Sequence, residues 1–455
     1  MLLLDYPEWH QFSINDFVTL GLGNLLNMTP ELETISKLLV DVRFEKPIVE
    51  RFLTRRGRPS VPVRVYLRMM VLKSRTGLSY EDLVVVVEKT PMYKIFCHIP
   101  LDHSVPDPTA LMKITKRYGE EVVAQMNQDL VAKVKEMNVV KGRKLRIDTT
   151  VVEGNIVYPT DAGLLFEGVR KLEKAMTRNR KACGEKVRMI SKRTREMKKQ
   201  LLSINKILRR RTGDSIVEVR KITGEMAKLA VAVSAKAQKQ LHKLRTENPK
   251  EVAQLNQMQD TVRLLDRVIS QTEQVNNTGT YPKDRIISLD DPDARPIVKG
   301  KLGKRTEFGY KTQIEECENG IVTGYEVYKG NPSDKELLMD GVTRHKKNFG
   351  KAPLELSADR GYYKGTVDKE LNDLGVKNVC IPKVGRKSKE RDAFENTTTF
   401  KRLKNWRAGS EARISCLKRR FGMARTQLRG LSGAGIWTGY SVFAHNLRQA
   451  ARIMT

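Results

Sequence analysis

Three carboxylates stand out in a strongly basic chain. Asp148 lies inside an apolar run, LRIDTTVV, framed by Leu145, Ile147, Val151 and Val152. Asp359 closes a second apolar run, PLELSAD, and is followed by Gly361 and the tyrosines Tyr362 and Tyr363. Glu411 is the single acid in residues 401–430, which hold ten Lys+Arg. Each has an ordinary structural explanation: a strand-end cap, a turn residue before glycine, and an ion-pair partner for Arg407 or Arg413 on one helix. Taken in order they suggest more. A carboxylate on a first strand, a second after a later parallel strand and a third on a following helix can meet at the carboxyl edge of an open α/β sheet. Such a cluster suits a hard cation such as Mg²⁺, which prefers oxygen ligands. Two such ions about 4 Å apart can activate an attacking oxygen and stabilise the leaving one in an in-line displacement at phosphorus. Without metal, at least one of three clustered acids is expected to titrate above its ordinary range.

The elements that must position these residues follow from periodicity. Residues 1 to about 140 read as mostly helical. The stretch from Pro62 to Phe96 has apolar positions at helical spacing, a break at Gly77 and a helix start at Ser79–Asp82. A further helical run opens after Pro106 and Pro108. Helix, glycine turn and helix fit both a DNA-binding helix-turn-helix and an ordinary bundle. At about residue 141 the texture turns to β around Asp148. Residues 164 to about 272 read as long helices, with Leu and Ile at three- and four-residue steps. Strands return at DRIISL (284–289) and in a hairpin turning at Glu318-Asn319-Gly320. A helix at 333–347 precedes the Asp359 strand. A short helix in KGTVDKELNDLG and a strand in NVCIPKV come next. The polar stretch KVGRKSKERDAFENTTTFKR reads as loop, and the chain from Lys404 onward as helix.

Charge narrows the partners. The 455 residues carry 84 Lys+Arg against 53 Asp+Glu, a net +31, which attracts polyanions because each neutralised phosphate releases condensed counterions. Residues 171–250 alone hold 24 Lys+Arg and 7 Asp+Glu, over half of that excess. So much charge of one sign repels itself, and an anionic partner is the better explanation than a solvated helix face. The basic helices lack Trp and Phe on an apolar face, which argues against a membrane surface. The N-terminus has no basic n-region and does not read as a signal peptide, and no stretch is long and apolar enough to span a bilayer. The five cysteines show no paired spacing, so neither a disulfide framework nor a zinc site is expected.

These blocks together resemble the prokaryotic insertion-sequence transposases of the DDE class. RIDTTVVEGNI resembles the first-aspartate block, and LSADRGYY the second, whose usual form is Ala-Asp-Lys/Arg-Gly-Tyr. The third block of this class runs Tyr, two residues, Arg, three, Glu, six, Lys; Arg407, Glu411 and Lys418 hold the Arg, Glu and Lys places, while Lys404 stands at the Tyr place. LKRRFGMARTQLRG resembles the segment beyond the Glu, and GNPSDKELL, with Asp334, a block between the two aspartates.

The resemblance implies an α/β, ribonuclease H-like mixed sheet flanked by helices, with a helical N-terminal domain and a long, basic, coiled-coil-like insertion. It implies three regions: a DNA-binding domain at 1–140, a catalytic domain from 141–163 and 284–455, and the insertion at 164–283. It implies strand cleavage and strand transfer at the ends of a mobile element. Asp148, Asp359 and Glu411 would bind two Mg²⁺, with Mn²⁺ as a substitute. Arg407, Lys418, Arg413, Arg419, Lys311 and Arg360 would meet DNA. The expected partners are duplex transposon ends and target DNA, with a homodimer assembling on them in the prokaryotic cytoplasm, at the nucleoid, and no membrane. Many relatives carry their insertion between the second Asp and the Glu, so its place here is a departure. The rival readings are a nuclease of the same fold and a non-catalytic DNA-binding scaffold.

Overall fold

The computed structural model describes residues 3–4, 27–51, 60–182, 192–210, 213–243, 247–299 and 306–455. The readings of the extreme N-terminus and of Cys183 fall outside them. In chain order the helices and strands are α1 (Pro30–Leu38), α2 (Lys46–Glu50), α3 (Val63–Thr76), α4 (Tyr80–Lys89), α5 (Pro91–Phe96), α6 (Pro108–Glu136) and β1 (Lys144–Glu153). Next come α7 (Asp161–Ala182), α8 (Lys192–Leu208), α9 (Gly213–Lys243), α10 (Pro249–Thr278), β2 (Arg295–Val298), β3 (Thr306–Glu316) and β4 (Val322–Tyr328). The last are α11 (Asp334–Phe349), β5 (Glu355–Ala358), α12 (Val367–Asp373), β6 (Asn378–Cys380), α13 (Lys389–Glu395), α14 (Thr398–Arg420) and α15 (Gly430–Met454). The chain is therefore mixed α/β and mostly helical. Among the described residues, no helix is long and apolar enough to cross a membrane.

Two compact units divide it: Met1–Asn155 with Tyr310–Thr455, and Ile156–Gly309. In the first unit, local chemistry sets the helix ends. Gly77 closes α3 at φ +70°, a left-handed conformation that glycine adopts without steric cost. Ser79 caps α4 by accepting from the Asp82 amide at 3.0 Å. Asp107 caps α6, which has Pro108 at its first position and a break at Gly119. Helix α3 is buried along most of its length, and it packs with α6 against α15 in a helical bundle.

The sheet of this unit runs β4–β3–β1–β5–β6. Strand β4 is antiparallel to β3, while β1 is parallel to β5 and β5 to β6. The hairpin between β3 and β4 turns at Glu318–Gly320, with Asn319 at φ +58°, as its sequence predicts. Consecutive strand side chains point to opposite faces. Arg146 and Asp148 therefore face α14, while Ile147 and Thr149 face α11, which packs on β4 and β1.

The second unit packs α7, α8, α9 and α10 around Leu165, Val169, Leu172, Met197, Met226, Val233 and Leu265. Its β2 pairs antiparallel with Thr306–Gly309, the first residues of β3. The sequence pattern does not mark that strand, and two further elements differ from the sequence reading. Residues 284–289 form no strand. Instead the Gln271 side chain bonds both backbone groups of Ile286, donating to its carbonyl at 3.1 Å and accepting from its amide at 3.0 Å, and so takes the place of a neighbouring strand. The polar stretch after Lys383 is not loop throughout. It contains α13 and the start of α14. Ser388 caps α13, and Arg391 pins it through Asp368, Glu395 and the Ile381 carbonyl.

Candidate active site at the parallel strand ends

The β1–β5 ladder pairs Lys144 with Glu355, Leu145 with Leu356, Arg146 with Ser357 and Ile147 with Ala358. The next residue on each strand is an aspartate. Asp359 thus lies just past the carboxyl end of β5, with Asp148 beside it midway along β1, where the β1–β5 ladder ends. Asp148 is half-buried; its Oδ1 accepts from the Thr149 amide and its Oδ2 from the Ser410 hydroxyl, each at 2.8 Å. Burial pushes the Asp148 carboxyl above its ordinary range, and the Asp359 charge adds to this; Ser410, Thr149 and Arg407 act the other way. Asp359 caps the short 3₁₀ turn Arg360–Tyr362 by accepting from the Arg360 amide at 2.8 Å. Its carboxylate stays half exposed, 3.8 Å from the Arg407 guanidinium.

Helix α14 crosses the same sheet edge, packing on β1, β5 and β6. Glu411 is exposed on it, one turn beyond Arg407. At 3.6 residues per turn it sits roughly 40° round the helix from Arg407, on the shoulder of the face that meets the aspartates. Among the described residues, no three His, Cys, Asp or Glu side chains are grouped closely enough to share a metal ion. The structure therefore sets two of the three expected acids on adjacent strands and leaves Glu411 exposed on α14, next in sequence to the Ser410 that bonds Asp148. The pair suits a divalent ion, because both donors are hard carboxylate oxygens on adjacent strands.

The basic residues of the site are placed unevenly. Arg360 and Arg419 are exposed, and Arg407 and Lys418 are half-buried. Arg413 donates to buried Glu316 at 3.0 Å. Lys311 is buried, with its ammonium 2.8 Å from Asp334 and bonded to the Pro332 carbonyl. Asp334, at the start of α11, also accepts from the Thr149 hydroxyl at 3.0 Å, so it touches the residue next to Asp148. Sequence reasoning did not single out Ser410, Arg146 or Glu316. Their signals were faint: a serine next to Glu411, a lone arginine in an apolar strand, and an acid repeated in β3.

The exposed face of α4 carries Glu81, Asp82 and Glu88, with Lys89 at its end.

Comparison with known families then bears on the site. Residues 22–117 match a transposase domain (DUF772), and residues 257–447 match the transposase DDE domain. Together the two stretches cover more than half of the chain. This chain is an insertion-sequence DDE transposase by family. Asp359 and Glu411 of the transposase lie within the DDE match, whereas Asp148 and most of the basic helices precede it. No curated protein and no solved structure matched the chain. Membership implies a DNA substrate and dependence on a divalent metal.

Proposed function

We propose that the transposase cleaves DNA at the ends of its insertion sequence and joins the freed strands to target DNA on a ribonuclease H-like core. Asp148, Asp359 and Glu411 hold two Mg²⁺, which Mn²⁺ replaces. The observation that carries this reading is the β1–β5 register, which ends on Ile147 and Ala358 and sets two aspartates side by side. Helix α14, following the second aspartate in sequence and lying over the same strand ends, supports Glu411 as the third ligand.

When bound, the metal ions polarise the scissile phosphate and lower the pKa of the attacking water or 3′-hydroxyl. The protein's own groups do the rest. Thr149 and Ser410 hold the Asp148 carboxylate in one orientation. Arg407, 3.8 Å from Asp359, would meet the phosphate backbone at the same site. Arg360, Lys418 and Arg419 extend that basic surface, and Lys311 and Arg413 stand behind it in their ion pairs with Asp334 and Glu316. Glu411, one turn beyond Arg407 on α14, would complete the ligand set.

The same reading makes residues 1–140 a DNA-binding helical domain and 164–283 a basic clamp on transposon ends. Two protomers pair on the two ends, at the nucleoid of a prokaryotic cytoplasm. The test is Mg²⁺-dependent nicking and strand transfer on duplexes taken from the flanks of the coding region. The wild-type protein should do both, and Asp359→Asn, folded as judged by circular dichroism, should do neither. Cleavage without joining would identify a nuclease; nicking retained by Asp359→Asn would remove the site.

A further inference from the structure

Strand β3 ends with two consecutive buried acids, which lie on opposite faces of the sheet. Glu315 faces α11 and pairs with Arg344. Glu316, 2% exposed, faces α14. A buried carboxylate of this kind is stable only when its charge and lone pairs are met. Two arginines meet them here. Arg146 of β1 grips Glu316 with both arms, Nε to Oε2 at 2.9 Å and Nη2 to Oε1 at 2.6 Å. Arg413 of α14 adds its Nε to Oε1 at 3.0 Å.

The remaining nitrogen of Arg146 reaches into α14, where Nη1 donates to the Trp406 carbonyl, and the guanidinium lies 4.9 Å from the centre of the Trp406 ring. Gly409 makes room for it. A Cβ at Gly409 would fall 2.5 Å from Arg146 Nη1 and 3.1 Å from Nη2. Glycine in a helix interior costs about 1 kcal/mol against alanine, and this close passage gives it a reason. The carboxylate of Glu316 thus holds α14 at two places, residues 406 and 413. Arg407, Ser410 and Glu411 all lie between them.

We propose that Glu316 is a positioning residue that sets the register and roll of α14 through Arg146 and Arg413, and so presents Glu411 to the metal site. It makes no contact with metal or DNA. The inference rests on the metal-site reading above, and the test separates the two.

Mn²⁺ affinity of the full-length protein is measured by titration calorimetry for wild type, Glu316→Gln, Glu411→Ala and the double variant. Displacing the supports of a metal ligand typically costs 10- to 100-fold in affinity. We expect Glu316→Gln and Glu411→Ala each to weaken binding on the order of tenfold, and the double variant to be no weaker than Glu411→Ala alone. Additive losses would mean that Glu316 acts by general stability, and would overturn the proposal. So would unaltered affinity in Glu316→Gln beside a loss in Glu411→Ala. If Glu411→Ala itself binds Mn²⁺ as wild type does, the reading of the site fails and the proposal with it. Should Glu316→Gln not fold, Gly409→Ala takes its place in the same cycle. It pushes Arg146 off α14 while leaving the three charges present, and the same outcomes decide.

Discussion

The Asp148 carboxylate is held between burial, which disfavours its charge, and two hydrogen-bond donors that favour it. The Ser410 hydroxyl is the donor that links strand and helix. A hydrogen bond to a charged group contributes about 1.5–3 kcal/mol. Ser410→Ala is therefore expected to slow single-turnover nicking roughly ten- to hundredfold at neutral pH under conditions where circular dichroism shows the variant folded. An unchanged rate would show that the hydroxyl does not orient Asp148. Glu315 supplies a pH signature in stability. Burial pushes its carboxyl from 4.5 up to about 7, against the pull of Arg344, and its Oε2 has no hydrogen-bond partner among the described residues. Because the folded value lies above the unfolded one, its contribution is fully present below about pH 4.5 and is lost as pH rises towards 7. The slope is at most about 1.4 kcal/mol per pH unit. His345 and His445, lowered to about 4 and about 3 by burial, lose their contribution in the opposite direction, as pH falls. Comparing Glu315→Gln with wild type isolates the glutamate. The urea midpoint of the variant, relative to wild type, should rise as pH goes from 4.5 to 7, because only wild type carries the Glu315 loss, and parallel curves would refute the assignment.

At the scale of elements, α15 shows how a helix can trade intrinsic preference for close packing. Gly439 lies where α15 meets α6 and β4. A Cβ there would strike the Tyr325 hydroxyl and come within 2.5 Å of a Val123 methyl, and Asn127 donates to the Gly439 carbonyl at 3.0 Å. Gly435, one turn earlier, has the flexible Glu120 side chain as its nearest neighbour. Alanine favours a helix by about 1 kcal/mol over glycine, whereas overpacking a core costs about 1–3 kcal/mol. Gly439→Ala should accordingly lower stability by up to about 2 kcal/mol, and Gly435→Ala should be neutral or stabilising because Glu120 can swing away. Denaturant unfolding of the two variants checks this ordering, which a contrary ranking would sink. Helix α13 illustrates the converse. No apolar periodicity marks KSKERDAFE, since the segment is organised by one arginine. Arg391 pairs with Asp368 and Glu395 and lies over the rings of Tyr363, Phe394 and Phe400. A pattern of hydrophobic residues cannot register an element whose anchor is charged.

At the scale of the molecule, the basic excess concentrates in the unit that the chain builds between β1 and the rest of its sheet. Helix α8 exposes Arg195, Lys198, Lys199 and Lys206, while Met197, Ile204 and Ile207 face inward. If these cations meet DNA phosphates, each contributes about 0.9 to the slope of log affinity against log salt. Replacing all four by Gln should lower that slope by up to about 3–4 for duplex DNA and leave the fold intact. An unchanged slope would assign the charge to another role. The family matches frame this unit from both sides, one ending at residue 117 and the other beginning at 257, so it stands largely outside what the two families share.

Much of this was legible in the residues themselves. Apolar spacing marked β1 and β5, Gly77 and Ser79 marked the boundary between α3 and α4, and the turn at Glu318–Gly320 marked a hairpin. Those signals are local: they depend on backbone preference and on which face of one element is apolar. The three acid-bearing blocks, in order, also pointed to the family. The tertiary structure alone decided what stands next to what. It set Asp148 beside Asp359 through strand register, brought Ser410 to the first of them, and tied Arg413 and Lys311 to Glu316 and Asp334. Each of those contacts joins residues far apart in the chain, and a charged side chain carries no mark in sequence of the partner it will meet. Their pairing is settled only when the sheet closes and α14 comes down across the strand ends.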